Sequence, residues 1–175
     1  MAKEKFSAII SIRGEVEGRK TVMALGINTE AGRVTSIQFL PFQPTEFTSN
    51  DTTTIETVRQ IRAYFSNPTW TFTLPMNFLG SPFQNRVWRA LTTMKPGETM
   101  TYGEMAKRLQ SSARAVGNAC RRNPLPIVVP CHRIISKSGL GGFSGQTEGG
   151  LVDFKQYLLE HESTYRSLDV PHYVS

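Results

Sequence analysis

The sequence predicts an α/β (α+β) chain in two parts: a small N-terminal α/β domain with a short, mainly antiparallel sheet over residues 1–75, then a mostly helical C-terminal domain containing a helix-turn-helix over residues 76–175. Three observations predict it. Strand-like runs crowd into the first forty residues, helical periodicity with cap signals dominates from about residue 81, and an extended apolar stretch with a proline lies between them. A length of 175 residues suits one good core, or two small domains sharing an interface. The composition, 39% hydrophobic and 19% charged, excludes a disordered or fibrous class.

In order, Phe6 to Ile12, Thr21 to Gly26 and Arg33 to Phe39 are β-rich, parted by the turn formers Glu17-Gly18 and Glu30-Ala31-Gly32. Thr45 to Thr53 is polar and reads as a loop. Thr54 to Phe65 reads as a helix with Ile55, Val58, Ile61 and Phe65 on its apolar face, stopped by Asn67-Pro68. Trp70 to Leu79, containing Pro75, is the connector. Phe83 to Met94 carries a broad stripe of Phe83, Val87, Trp88, Leu91 and Met94, ended by Pro96-Gly97. Thr101 and Glu104 form a capping box for a helix to about Leu109. Ser111-Ser112 turns the chain into a second helix, Ala113 to Arg122, stopped by Asn123-Pro124. Two short helices on a tight turn are a helix-turn-helix.

The net charge of +6 is unevenly spread. Residues 81–137 hold ten Lys or Arg against Glu98 and Glu104, a balance of +8, while 1–80 balance to +1 and 138–175 to −3. Such a block is either an ordinary solvated face or a surface that displaces counterions from phosphates. The second helix of the pair is slim, with Ala113, Ala115, Gly117 and Ala119 along it. It suits close backbone approach, either to another helix or to a nucleic-acid groove, better than the long polar side chains of major-groove readout. No apolar run nears the roughly 20 residues of a membrane span, and the N-terminus has no secretory pattern, so an intracellular, cytoplasmic protein is expected.

Cys120 and Cys131 make no disulfide framework, and with His132, His161 and His172 scattered they make no metal-ligand spacing; no metal and no cofactor are expected. Cys120 lies inside a helix and reads as a small buried hydrophobe. Cys131 differs. It ends the stiff run Pro124-Leu-Pro-Ile-Val-Val-Pro130, in which Ile127 to Val129 should be buried. His132 and Arg133 follow it, and a base and a positive charge both favour thiolate.

Pro130-Cys131-His132-Arg133 resembles the active-site signature of the O6-alkylguanine-DNA alkyltransferases. Phe83-Gln84, Val87-Trp88 and Leu91 resemble a helix of that family, and so do Thr101-Tyr102-Gly103-Glu104 with Ala106. Arg114-Ala115-Val116-Gly117 and Asn123-Pro124 resemble its recognition helix and asparagine hinge. Gly142-Phe143-Ser144-Gly145 resembles its binding loop, and Lys155, Leu158-Leu159 and His161-Glu162 its last helix. The likeness runs in order over roughly residues 80–162; the first part shares only a general α/β character, which in this family is ribonuclease-H-like, and the helix before the connector.

The resemblance implies suicide repair by direct reversal. An alkyl group passes irreversibly from O6 of guanine, and also O4 of thymine, in duplex DNA to Cys131, once per molecule. It implies His132 as base through a water, Glu162 on the other imidazole nitrogen, Tyr102 as proton or hydrogen-bond donor to the leaving base, and Asn123 as a brace. It implies a pocket of Tyr102, Val129, Ile134, Phe143 and Ser144. The base must be flipped out; Arg114 fills the gap it leaves, Ala115 and Gly117 lie close in the minor groove, and Arg121 and Arg122 meet phosphates. The expected partner is double-stranded DNA containing O6-alkylguanine, bound by a monomer, with contacts between neighbours on DNA left open and no membrane involved. The protein would be nucleoid-associated when on DNA. Departures from the pattern are Phe143 in place of a tyrosine, an insertion-like Gln146-Thr147-Glu148, Cys120 where a larger apolar residue is common, and an unmatched tail after Glu162. The alternatives are a non-enzymatic sensor of alkylated DNA and a helix-turn-helix regulator. A cysteine hydrolase is disfavoured, since no oxyanion-hole motif accompanies the adjacent Cys-His pair.

Overall fold

The computed structural model describes residues 5–16, 18–40 and 45–166. Glu17 of the first expected turn, His172 and the tail beyond Arg166 lie outside the described residues. Strands β1 (Ala8–Val16), β2 (Arg19–Glu30), β3 (Arg33–Leu40) and β4 (Phe47–Thr48) form an antiparallel sheet in the order β3-β2-β1-β4. Helix α1 (Thr52–Ser66) follows. The second part holds α2 (Pro82–Thr92), β5 (Met100–Thr101), α3 (Tyr102–Arg108), α4 (Ala113–Arg121), β6 (Ile134–Ile135) and α5 (Gly150–Arg166). The mixed fold matches the expectation of a sheet first and helices after it.

The strands are longer than the apolar runs that announced them. β1 and β2 stay in register from Ala8 opposite Ile27 to Val16 opposite Arg19, so backbone pairing carries the hairpin past its hydrophobic end. The polar stretch expected as a loop contains β4. Ile9 pairs with Phe47, and Ser49 N donates to the carbonyl of Ser7 at 2.9 Å, so the free edge of β1 recruits these residues whatever their polarity.

Helix α1 starts at Asp51, whose carboxylate accepts from Thr54 N at 2.7 Å. Its inner face is a correction to the sequence reading. Ile55 is 50% exposed, whereas Thr54, Thr57, Gln60, Ile61 and Tyr64 are buried. The threonines can face inward because their hydroxyls are satisfied locally: Thr57 Oγ1 donates to the carbonyl of Thr53 at 2.7 Å, and Thr54 Oγ1 to Asp51 at 2.8 Å. Their methyl groups are left to pack.

The connector is stitched to the sheet rather than looping free. Val34 N donates to the carbonyl of Pro75 at 3.0 Å, and the same strand reaches the segment before Cys131, where Ile37 N donates to the carbonyl of Pro124 at 2.9 Å. One cluster of buried side chains runs from Ile10 and Leu25 in the sheet through Ile61 and Tyr64 to Leu91, Val116 and Phe154. The capping box read from Thr101 and Glu104 is present and Ser112 caps α4, while the structure adds a second capping box, Ser81 with Gln84, at the start of α2. Trp88 Nε1 donates to the carbonyl of Ala119 at 2.9 Å, which locks α4 against α2. Among the described residues no helix is long and apolar enough to cross a membrane.

Candidate active site

The segment that carries Cys131 is held by its own backbone. Val129 N donates to the carbonyl of Leu125 and Cys131 N to that of Val129, each at 2.8 Å, with Ile127 at φ 76° between them. Residues 131–133 form a single tight turn, and β6 leaves it to pair in parallel with β5. The pairing sets Thr101 beside Ile135 and so delivers Tyr102, the first residue of α3, to the cysteine.

Asn123 follows α4 and bridges the helix-turn-helix to the thiol. Its Nδ2 donates to the Val129 carbonyl at 2.8 Å and to Cys131 Sγ at 3.2 Å, while its Oδ1 accepts from Leu125 N at 3.0 Å. Beyond stopping a helix, this side chain fixes both the reactive loop and the sulfur.

The polar residues after Cys131 are buried with it. Cys131, His132 and Arg133 are 4%, 0% and 6% exposed. Glu162 from α5 draws them in. Its Oε1 accepts from His132 Nε2 at 2.8 Å, Arg133 Nη2 at 2.9 Å and the Tyr64 hydroxyl at 2.7 Å. Its Oε2 accepts from Arg133 Nε at 3.0 Å and Gly97 N at 3.1 Å. Arg133 Nη1 also donates to the carbonyl of Met94. The Arg133 charge is therefore consumed by Glu162 and belongs to neither the thiol nor the basic surface, contrary to the sequence reading.

These contacts set the protonation states. Burial alone would raise Glu162, but His132 and Arg133 hold its carboxyl well below the usual range. Burial lowers His132 below 6.5, outweighing the pull of Glu162, so the ring is neutral at neutral pH. With Nε2–H given to the carboxylate, the lone pair falls on Nδ1, which has no hydrogen-bond partner among the described residues. Burial pushes the Cys131 thiol up, against the Asn123 hydrogen bond and the charge of Lys155. The resting group is thus a thiol. The expectation that adjacent charge would make it a thiolate loses to desolvation.

A cavity of about 220 Å³ opens over the cysteine, lined by Tyr102, Gly117, Cys120, Arg121, Cys131 and the loop 142–147. That loop is a two-residue hairpin. Phe143 and Gln146 exchange backbone bonds at 2.8 and 2.9 Å, and the central Ser144 and Gly145 have φ of 47° and 87°, as a type I′ turn requires. A Cβ on Gly142 would lie 2.7 Å from the Gln146 carbonyl, so only glycine closes the loop this tightly. Tyr102 reaches the Gly142 carbonyl with its hydroxyl at 3.4 Å, and burial pushes it up to about 12, so it stays protonated.

Of the expected pocket residues, Tyr102, Phe143 and Ser144 line this cavity; Val129 and Ile134 do not, being fully buried behind it. Arg114 and Arg122 are exposed on and just after α4, Ala115 and Gly117 are half-buried, and Arg121 is exposed at the cavity mouth. Sequence reasoning missed four contributors. Cys120, read as an inert core thiol, faces the same cavity as Cys131. Gln146 and Thr147, read as an insertion, close its wall. Lys155 is fully buried and its Nζ donates to the carbonyls of Ile134 and Leu140 at 2.7 Å and Gly142 at 3.0 Å, pinning that wall. A fully buried lysine needs such partners, but its sequence neighbours give no sign of them.

Residues 82–164, from α2 into α5, match the model of the family described as 6-O-methylguanine DNA methyltransferase, DNA binding domain. The chain is 41% identical over 157 residues, 84% of its own length and 92% of the relative's, to a methylated-DNA–protein-cysteine methyltransferase of Mycolicibacterium paratuberculosis. A Thermococcus barophilus protein of the same name is 51% identical over 89 residues, 50% of this chain and 48% of that one. The crystal structure of Mycobacterium tuberculosis OGT in complex with DNA aligns with a TM-score of 0.68 at 36% identity, covering 81% of this chain and 87% of that one.

Proposed function

This chain belongs to the methylated-DNA–protein-cysteine methyltransferase family, and on that premise we propose how its own residues perform the transfer and which of its two thiols receives the alkyl group. The protein is a DNA-repair enzyme that acts by direct reversal, moving an alkyl group from DNA onto cysteine. The acceptor is Cys131, and the substrate is O6-alkylguanine in duplex DNA.

One observation carries the choice: Cys131 Sγ sits in the cavity, bonded by Asn123, and is followed by a histidine whose Nδ1 is unpartnered and whose Nε2 is held by Glu162. As the alkyl carbon approaches, the thiol proton passes through a water to Nδ1. Glu162 stabilises the imidazolium that forms. Sulfur then bonds the alkyl carbon, the bond from that carbon to O6 breaks, and its electron pair stays with the guanine. Tyr102, protonated at neutral pH, donates to the departing ring. The thioether is not hydrolysed by water, so each molecule acts once.

O6 is unreachable inside a stacked duplex, so the base enters the cavity flipped. Arg114, exposed in the first turn of α4, fills the space left in the stack. The slim face at Ala115 and Gly117 lets the helix press into the minor groove, and Arg121 and Arg122 bind phosphates as the protein works as a monomer.

The test is intact-protein mass spectrometry after mixing the chain with excess duplex containing O6-methylguanine. Cys120→Ser should still gain one methyl group and Cys131→Ser none. Methyl uptake that survives in Cys131→Ser and vanishes in Cys120→Ser would move the acceptor to the helix. A bound duplex without any mass change would replace the transfer reading with damage sensing.

A further inference from the structure

We propose that Tyr64, on α1, is a positioning residue of the relay: its hydroxyl and the His132 imidazole share one oxygen of Glu162, so the first part of the chain sets how strongly the carboxylate holds the histidine. The inference rests on the assignment of Cys131 and His132 made above.

Tyr64 stands 98 residues before Glu162 and is 1% exposed. Its hydroxyl donates to Oε1 at 2.7 Å, the oxygen that also takes His132 Nε2 at 2.8 Å and Arg133 Nη2 at 2.9 Å. Three donors crowd one carboxylate oxygen. The Tyr64 backbone acts on the neighbouring residue: its carbonyl faces His161 Nε2 at 2.8 Å. The tyrosine therefore grips α5 at two successive residues. Its ring is held edge-on by Phe65 at 5.1 Å and His161 at 5.3 Å, and tilted against Phe72 at 5.6 Å. Burial and the Glu162 charge push the phenol far up, so it is a donor at any pH the protein meets.

Packing alone would account for a phenylalanine here. The hydroxyl has a separate consequence. A hydrogen bond into Oε1 withdraws charge from the atom that would stabilise imidazolium. Without it, Glu162 holds protonated His132 more tightly, and the base is blocked at a higher pH. Among the described residues, the charged and titratable groups around the pair are Arg133 on the turn, Cys131 beside it, Lys155, Tyr157 and His161 on α5, and Tyr64 on α1. Gly97 N, from the loop after α2, adds a backbone donor.

The experiment uses the full chain and its Tyr64→Phe variant, with 15N-labelled histidine. Two quantities are measured: the His132 ring titration in unreacted protein, and the pH dependence of single-turnover methyl transfer from duplex O6-methylguanine. In Tyr64→Phe both midpoints should rise together by about half a pH unit or more, with the rate above the limb retained. Incorporating 3-fluorotyrosine at position 64 keeps the shape, strengthens the donor and should move both midpoints down; it serves if the phenylalanine variant does not fold. A wild-type limb that tracks His132 but does not move in either variant overturns the role of Tyr64 alone, as does a rate loss uniform in pH. A wild-type transfer rate indifferent to the His132 titration overturns the relay, and the proposal with it.

Discussion

Replacing Glu162 by glutamine tests whether the buried network is held by charge or merely by packing. The substitution keeps the volume but removes the negative charge on which Arg133, 6% exposed, depends. It also puts an amide NH2 against donors from His132, Arg133, Tyr64 or Gly97. Removing one partner of a buried pair costs about 3–5 kcal/mol, because the surviving charge is left uncompensated. For 175 residues, an unfolding entropy near 2.1 cal/mol/K per residue amounts to about 0.37 kcal/mol/K, so the melting midpoint should fall by roughly 8–14 °C. Circular dichroism melts at neutral pH read this directly. The double variant Arg133→Met, Glu162→Gln removes both charges and should recover part of the loss, a coupling that packing alone does not produce. The sign with pH is also fixed. Glu162 is lowered from 4.5, so its contribution is present above that value and lost as pH falls through the folded-state value; the variant should lack this acid-linked loss. A single variant melting within about 3 °C of wild type, or a double variant as costly as the two singles summed, would refute the reasoning.

Three further outcomes are expected. Since burial lowers His132 below 6.5, methyl transfer should hold its full rate through neutral pH and fall only below 6.5; a single-turnover limb centred above 6.5 would contradict the neutral-base assignment. Gly142→Ala places a methyl 2.7 Å from the Gln146 carbonyl and should cost about 1–3 kcal/mol while slowing transfer, read by melting and by timed methyl uptake. Methylated protein should melt lower than unreacted protein, by about 3–8 °C for 1–3 kcal/mol of overpacking at the 4% exposed Cys131, and an equal or higher midpoint would speak against it.

The parts legible in the sequence were those written in local code. The capping residues Thr101 and Ser112 and the stop at Asn123-Pro124 set the boundaries of α3 and α4 within a residue or two. The tetrad Pro130 to Arg133 marked the reactive turn. Features set by which partner a polar group finds in the folded chain, near or far, were not legible. Thr54 and Thr57 turn inward because their hydroxyls find partners one turn back, a choice that hydropathy misplaces onto Ile55. β4 exists because β1 has an open edge. Lys155 and Tyr64 earn their places through carbonyls 13 to 21 residues away and a carboxylate 98 residues away. The thiol's protonation went astray for the same reason: neighbours in sequence predict charge, and only the fold reveals burial.

That burial bears on the working life of the protein. A reagent that reacts once loses its value if it is consumed before it meets its target. Thiolates are what oxidants, small electrophiles and disulfides attack, and both Cys131 and Cys120 are kept as thiols by desolvation. The proton is removed only along a path that ends at a histidine buried away from the protein surface. Reactivity is thereby stored in the arrangement of Asn123, His132 and Glu162 rather than displayed by the sulfur, and a molecule waiting among cellular electrophiles stays unspent until a base enters the cavity and supplies the carbon.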